Sequence, residues 1–121
     1  MAYRQTLGRR GEDLACALLE EQGYEIVARN WRCRRGEIDV VARDAACWVF
    51  VEVKTRRGHG AGYPEDALTD RKLLRLRELA EWYLDSVDVG EVDWRIDLVA
   101  IELGPTAADP RINHIRGVDA L

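Results

Sequence analysis

Three charged side chains stand where a core strand would carry apolar ones. Asp39 interrupts the run "EIDVVA", and Glu52 and Lys54 interrupt "CWVFVEVKT". Side chains alternate across a strand, so Trp48, Phe50, Glu52 and Lys54 share one face while Val49, Val51 and Val53 share the other. The charges therefore fall at the end of a largely covered surface. Leaving them there without partners would cost several kcal/mol, so partners are required.

Asp39 is the natural partner. A hairpin turning at "DAA", near residues 44–46, brings positions 39 and 52 opposite one another. Directly opposed side chains on antiparallel strands have Cβ atoms about 4.5–5.5 Å apart, and two carboxylates at that range repel. Two arrangements remove the conflict. A divalent cation such as Mg²⁺, which takes hard oxygen ligands from one or two carboxylates plus water and phosphate, can sit between them with Lys54 alongside. Alternatively, Lys54 or a nearby arginine neutralises the acids in a metal-free cluster. Spacing alone leaves both open.

The elements that must hold these groups are legible from periodicity. Leu7, Gly11, Leu14, Ala15, Leu18 and Leu19 recur at helical spacing over about residues 5–22, and Gly23 ends the helix. "YEIVARN" (24–30) alternates as a strand, and the arginine-rich "WRCRRG" turns the chain. "EIDVVAR" and "CWVFVEVKT" follow as a second and third strand. "RRGHGAGYP" (56–64) is a loop, and it lacks the G-K-[ST] ending of a phosphate-binding P-loop. Pro64 suits the first turn of a long helix over about 65–86, in which Trp82 and Tyr83 read as packing residues. A fourth strand covers 93–103 and a short fifth covers 111–118. The order α-β-β-β-α-β predicts an α/β fold: a mixed sheet, with a helical crossover making the fourth strand parallel to its neighbour and helices covering both faces.

Composition bounds the rest. A chain of 121 residues, 47% hydrophobic and 33% charged, fits one globular domain spanning 1–121. No apolar run reaches the length of a membrane span or a signal peptide, which predicts a cytoplasmic protein without a membrane partner. Cys16, Cys33 and Cys47 are odd in number and widely spaced, against a disulfide framework or a zinc site. The net charge of −4 hides an asymmetry. Residues 1–57 hold 11 Lys and Arg against 9 Asp and Glu, whereas residues 58–121 hold 7 against 13. Arg29, Arg32, Arg34 and Arg35, then Lys54, Arg56 and Arg57, make local basic patches able to attract phosphate. Arg56 and Lys72 are further phosphate contacts if they face the acids; a solvated helix lysine is the plain alternative for Lys72. Glu37 reads as a solvated residue at a strand start, Arg95 and Asp97 as a structural ion pair, His114 as strand surface, and His59 as a solvated loop residue.

Asp39 with Glu52-x-Lys54 across a hairpin resembles the signature of the PD-(D/E)-x-K superfamily of Mg²⁺-dependent nucleases. Glu12, in "RRGEDLA", resembles the N-terminal helix acid of archaeal Holliday-junction resolvases in that superfamily. More closely, the chain resembles the bacterial YraN family in "G-R-x-G-E-x-x-A" (8–15), "R-N-W-R" (29–32), "G-E-I-D-V-V-A" (36–42), "F-V-E-V-K-T-R" (50–56), Lys72 and "R-I-D-L-V-A-I" (95–101). The resemblance implies a restriction-endonuclease-like core. It implies Mg²⁺ or Mn²⁺ held by Asp39, Glu52 and the Val53 carbonyl, with Lys54 and Glu12 completing the catalytic set. It further implies nucleic acid, specifically DNA of branched or structured form, as substrate, and a homodimer if paired cuts are made. Two other readings stand beside it: a nuclease scaffold that binds nucleic acid without turnover, and an interaction protein whose acidic C-terminal half docks a basic partner.

Overall fold

Thr6 opens the first helix: its hydroxyl accepts a hydrogen bond from Arg9 N–H at 3.2 Å, satisfying one of the free donors of a helix start. The computed structural model describes residues 6–58, 62–104 and 110–120. In chain order these form α1 (Leu7–Glu21), β1 (Glu25–Cys33), β2 (Gly36–Asp44), β3 (Cys47–Arg57), α2 (Asp70–Val87), β4 (Trp94–Leu103) and β5 (Arg111–Ile115). Short 3₁₀ turns occupy Pro64–Ala67 and Val118–Ala120.

The sheet runs β1-β2-β3-β4-β5. Its first three strands form the expected antiparallel meander, β4 joins β3 in parallel, and β5 returns antiparallel to β4. Each face buries its own cluster. Ala15, Cys16 and Leu19 of α1 pack on Val40, Ala42, Val49, Val51, Val99 and Ile101. Leu76, Leu79, Ala80 and Tyr83 of α2 pack on Ile38, Val41, Trp48, Phe50 and Ile96. Those four α2 positions are the i, i+3, i+4, i+7 stripe of an amphipathic helix. This is the mixed α/β arrangement of a restriction-endonuclease-like core, with a helix on each face.

α1 approaches the sheet most closely at Gly11. A Cβ built there would lie 1.7 Å from Thr55 Oγ1, so only glycine lets the helix backbone sit against the end of β3. That contact draws the first turns of α1 to the strand end that carries Glu52 and Lys54.

Several boundaries differ from the expectation. β1 continues through Cys33, where Cys33 pairs with Gly36, so the turn shrinks to Arg34–Arg35. β3 runs on to Arg57 because β4 supplies partners as far as Arg57↔Leu103. Arg56 therefore lies in a strand, half-buried, and not in a loop. Pro64 opens a 3₁₀ turn; Leu68 is extended, and α2 starts only after Thr69, whose hydroxyl accepts from Lys72 N–H at 3.3 Å. β5 stops at Ile115, and Gly117, at φ 62°, turns the chain away. His59 lies outside the described residues. Among those described, no helix is long and apolar enough to cross a membrane.

Candidate active site at the end of the hairpin

The β2–β3 ladder proceeds from Asp44↔Cys47 to Val40↔Val51. One further step in that register sets Asp39 beside Glu52, as the hairpin arithmetic requires. Backbone pairing on this side of β3 ends there, and a side chain takes over. Asp39 Oδ2 accepts a hydrogen bond from Val53 N–H at 2.9 Å, holding the carboxylate at the gap between the strands.

Burial of Glu52, and next the Asp39 carboxylate in hydrogen-bonding reach, push the Glu52 carboxyl up to about 8; Lys54 and Lys72 pull the other way. At neutral pH the Glu52 carboxyl thus keeps its proton. Two hard oxygen donors held together at a cost are a fitting donor set for a divalent cation, which would displace that proton. Val53, with its N–H already spent on Asp39, is the residue whose carbonyl the resemblance adds to the set.

Two cavities meet at Glu52. The smaller, about 40 Å³, is bounded by Glu52, Lys54, Lys72, Leu68 and Leu98. The larger, about 580 Å³, lies between α2 and β2 and is bounded by Glu37, Glu52, Arg71, Lys72, Arg75 and Leu79 among others. Lys72 is thereby brought to the acid pair from the opposite element, on the face where Trp48 and Phe50 cover the strand.

The other candidates are placed less centrally. Glu12 is engaged elsewhere, accepting from Asn30 Nδ2 at 2.9 Å and Arg29 Nη2 at 3.5 Å. Among the described residues, no group of three His, Cys, Asp or Glu side chains gathers as a metal-ligating cluster, so Glu12 does not complete a triad with Asp39 and Glu52 in this conformation. Arg34 is exposed in the β1–β2 turn. Arg35 beside it stacks its guanidinium over the Trp82 ring, 5.0 Å from the centroid, at the far end of the α2 cleft. Arg56 is in β3 with a buried Nε that has no hydrogen-bond partner among the described residues. Glu37 pairs with Arg32 at 3.0 Å on the surface.

Two packing assignments change. Tyr83 is core, meeting Trp31, Trp48 and Phe50, but Trp82 is 45% exposed. His114 is not surface: its side chain is 6% exposed, and Nε2 lies 2.8 Å from Asp97 Oδ2. Asp97, fully buried, also accepts from Arg95 Nε at 3.0 Å and Gly117 N–H at 2.9 Å. Burial acts to raise its pKa, but those hydrogen bonds outweigh burial and hold the carboxyl below its usual range. The expected Arg95–Asp97 pair is thus one edge of a buried structural network. Sequence reasoning passed over Arg71 and Arg75; the available signal was the spacing of Arg75 at i+3 from Lys72, i+4 from Arg71 and four before Leu79.

Comparison with known proteins gives a consistent picture. The model of Uncharacterised protein family UPF0102 matches residues 11–101. A UPF0102 protein of Streptomyces griseus subsp. griseus is 51% identical over 121 residues, covering 98% of this chain and 99% of the relative. A UPF0102 protein of Nocardia farcinica is 48% identical over 115 residues, covering 95% and 90%. One from Arthrobacter sp. is 46% identical over 118 residues, covering 98% and 99%.

Proposed function

This chain belongs to the UPF0102 (YraN) family, a PD-(D/E)-x-K nuclease-like group, and we propose that it is a metal-dependent endonuclease acting on DNA phosphodiester bonds. One observation carries the reading: Asp39 and Glu52 are held together at a strand end with Lys54 and Lys72 as their cationic neighbours. A protein that only bound nucleic acid would gain nothing from two acids that repel phosphate. The acids make sense as ligands of Mg²⁺ or Mn²⁺, with the Val53 carbonyl as a third donor. Such an ion would supply Lewis acidity, making water a better nucleophile and offsetting charge on the phosphate.

The chain's own groups then have distinct tasks. Asp39 is fixed by Val53 N–H, so its free oxygen is aimed without further ordering. Lys54 orients the attacking water and offsets negative charge that grows on the phosphate. Lys72 contacts the phosphate from α2, and Arg34, Arg35 and Arg56 extend the cationic surface. Glu12 joins as a water-holding acid by exchanging Asn30 and Arg29 for the site. Branched or structured DNA is the preferred form, and the functional unit is a homodimer where paired cuts are made.

The test incubates purified protein with linear, single-stranded, flap and four-way-junction DNA, and with RNA, in Mg²⁺, Mn²⁺ or EDTA. Cleavage in metal, absent in EDTA and lost in Asp39→Ala, is expected. Binding that persists in EDTA, with no cleavage in any metal, would assign the scaffold to a non-cutting accessory role instead.

A further inference from the structure

We infer that the cleft along α2 is a track for an unpaired DNA strand, ending in a base-stacking subsite on Trp82 and Arg35. It rests on the nuclease reading for its purpose, and names the substrate feature that site would recognise: a single-stranded segment next to the scissile bond.

Three cavities share lining residues in sequence along α2. That bounded by Lys54, Lys72 and Leu68 shares Glu52 and Lys72 with the cleft above Leu76 and Leu79. The cleft in turn shares Arg75 and Leu79 with a third cavity, about 250 Å³, bounded by Arg35, Arg75, Glu78, Leu79 and Trp82. Lys72, Arg75, Leu79 and Trp82 stand at i, i+3, i+7 and i+10, one ridge of the helix. At 1.5 Å per residue, Lys72 and Trp82 are about 15 Å apart along the axis.

Charge and chemistry along this line change in a definite order. Nearest the acids are Arg71, Lys72 and Arg75, all exposed; among the described residues none of them, nor Arg35, is in an ion pair. Exposed cations along a cleft suit a phosphate backbone. Farthest away, Trp82 presents an exposed ring already faced on one side by Arg35. An indole beside a guanidinium is the pairing on which unpaired bases stack. Bases within a duplex have both faces covered by their neighbours and cannot use it. Glu78, the acid at this end, keeps phosphate toward Arg75 and leaves the subsite to the base.

The experiment measures binding in EDTA, so it does not depend on cleavage. Fluorescein-labelled oligothymidylate and a blunt duplex of equal length are titrated with wild-type protein, Trp82→Ala, Trp82→Phe and Arg75→Ala. Wild type binds the single strand more tightly than the duplex. Trp82→Ala weakens single-strand binding about tenfold and leaves duplex binding unchanged, whereas Trp82→Phe, which keeps a ring, retains most of the affinity. Arg75→Ala weakens binding and reduces the salt slope by about one unit. Oligothymidylate also quenches tryptophan emission in wild type, and that quench is lost in Trp82→Phe, a readout that holds even if Trp82→Ala folds poorly. Equal affinity for strand and duplex, unaltered strand binding by Trp82→Ala, or an undiminished quench in Trp82→Phe would each overturn the subsite. Cleavage assayed on the same preparations separates the two readings: loss of cleavage with Trp82-dependent binding intact fails only the nuclease, and cleavage without that dependence fails only the subsite.

Discussion

Asp39 and Val53 are joined by a hydrogen bond that belongs to neither strand's ladder: a carboxylate oxygen accepts from a backbone N–H at 2.9 Å, one step past the last β2–β3 pair. The side chain replaces a missing backbone carbonyl. That single contact fixes an acid at the position where the sheet opens, opposite Glu52.

Asp39→Asn keeps an oxygen for Val53 N–H but removes the charge beside Glu52. The Glu52 carboxyl, pushed up to about 8 by burial first and Asp39 second, is expected to fall in this variant and still remain above the ordinary range. A carbon-detected NMR titration of Glu52 checks this. An unchanged value would show that the two carboxyls do not interact.

Glu52 also sets a pH dependence of stability in metal-free protein. Its folded pKa is raised, so its contribution is complete below the unfolded value and is lost as pH rises toward about 8. Glu52→Gln in EDTA should therefore melt higher than wild type at pH 9 and about equally at pH 4. The gain, reduced by solvent screening at this partly buried position, is on the order of 1–2 kcal/mol, several degrees in Tm.

Asp97 behaves in the opposite sense. Its folded pKa is depressed, so the stability it contributes is present above the unfolded value and is lost as pH falls below it. Asp97→Ala leaves Arg95 and the Gly117 N–H without their buried acceptor and should cost about 3–5 kcal/mol in urea unfolding. A cost below 1 kcal/mol would remove this network from the account of stability.

Gly11→Ala drives a methyl group into Thr55 and should cost about 1–3 kcal/mol, as overpacking does. Thermal melting measures the loss. Wild-type stability would mean that α1 does not sit so close to β3.

The sequence made the central hairpin readable because strand alternation and a short turn leave one register that pairs Asp39 with Glu52, and the ladder follows it. Alternation likewise put Glu52 and Lys54 on the Trp48–Phe50 face that α2 covers. Features decided by distant partners were not readable. Arg56 is strand because β4 extends alongside, and His114 is buried because β5 lays it across Asp97 beside Val99. The start of α2 was misplaced because proline suits the first turn of a 3₁₀ helix as well as that of an α-helix, and Thr69 supplies the α-helical cap. The exposure of Trp82 was within reach: Leu76, Leu79, Ala80 and Tyr83 complete the buried stripe without it.

The most direct measurement is a Mn²⁺ titration followed by the electron paramagnetic resonance signal of the free ion, on wild type, Asp39→Asn and Glu52→Gln. Wild type should take up Mn²⁺ more tightly at pH 8 than at pH 6, because the ion displaces the proton that Glu52 holds. Both variants should lose that uptake while remaining folded. Equal uptake by wild type and the two variants, or none by wild type at either pH, would contradict the assignment of Asp39 and Glu52 as a cation site.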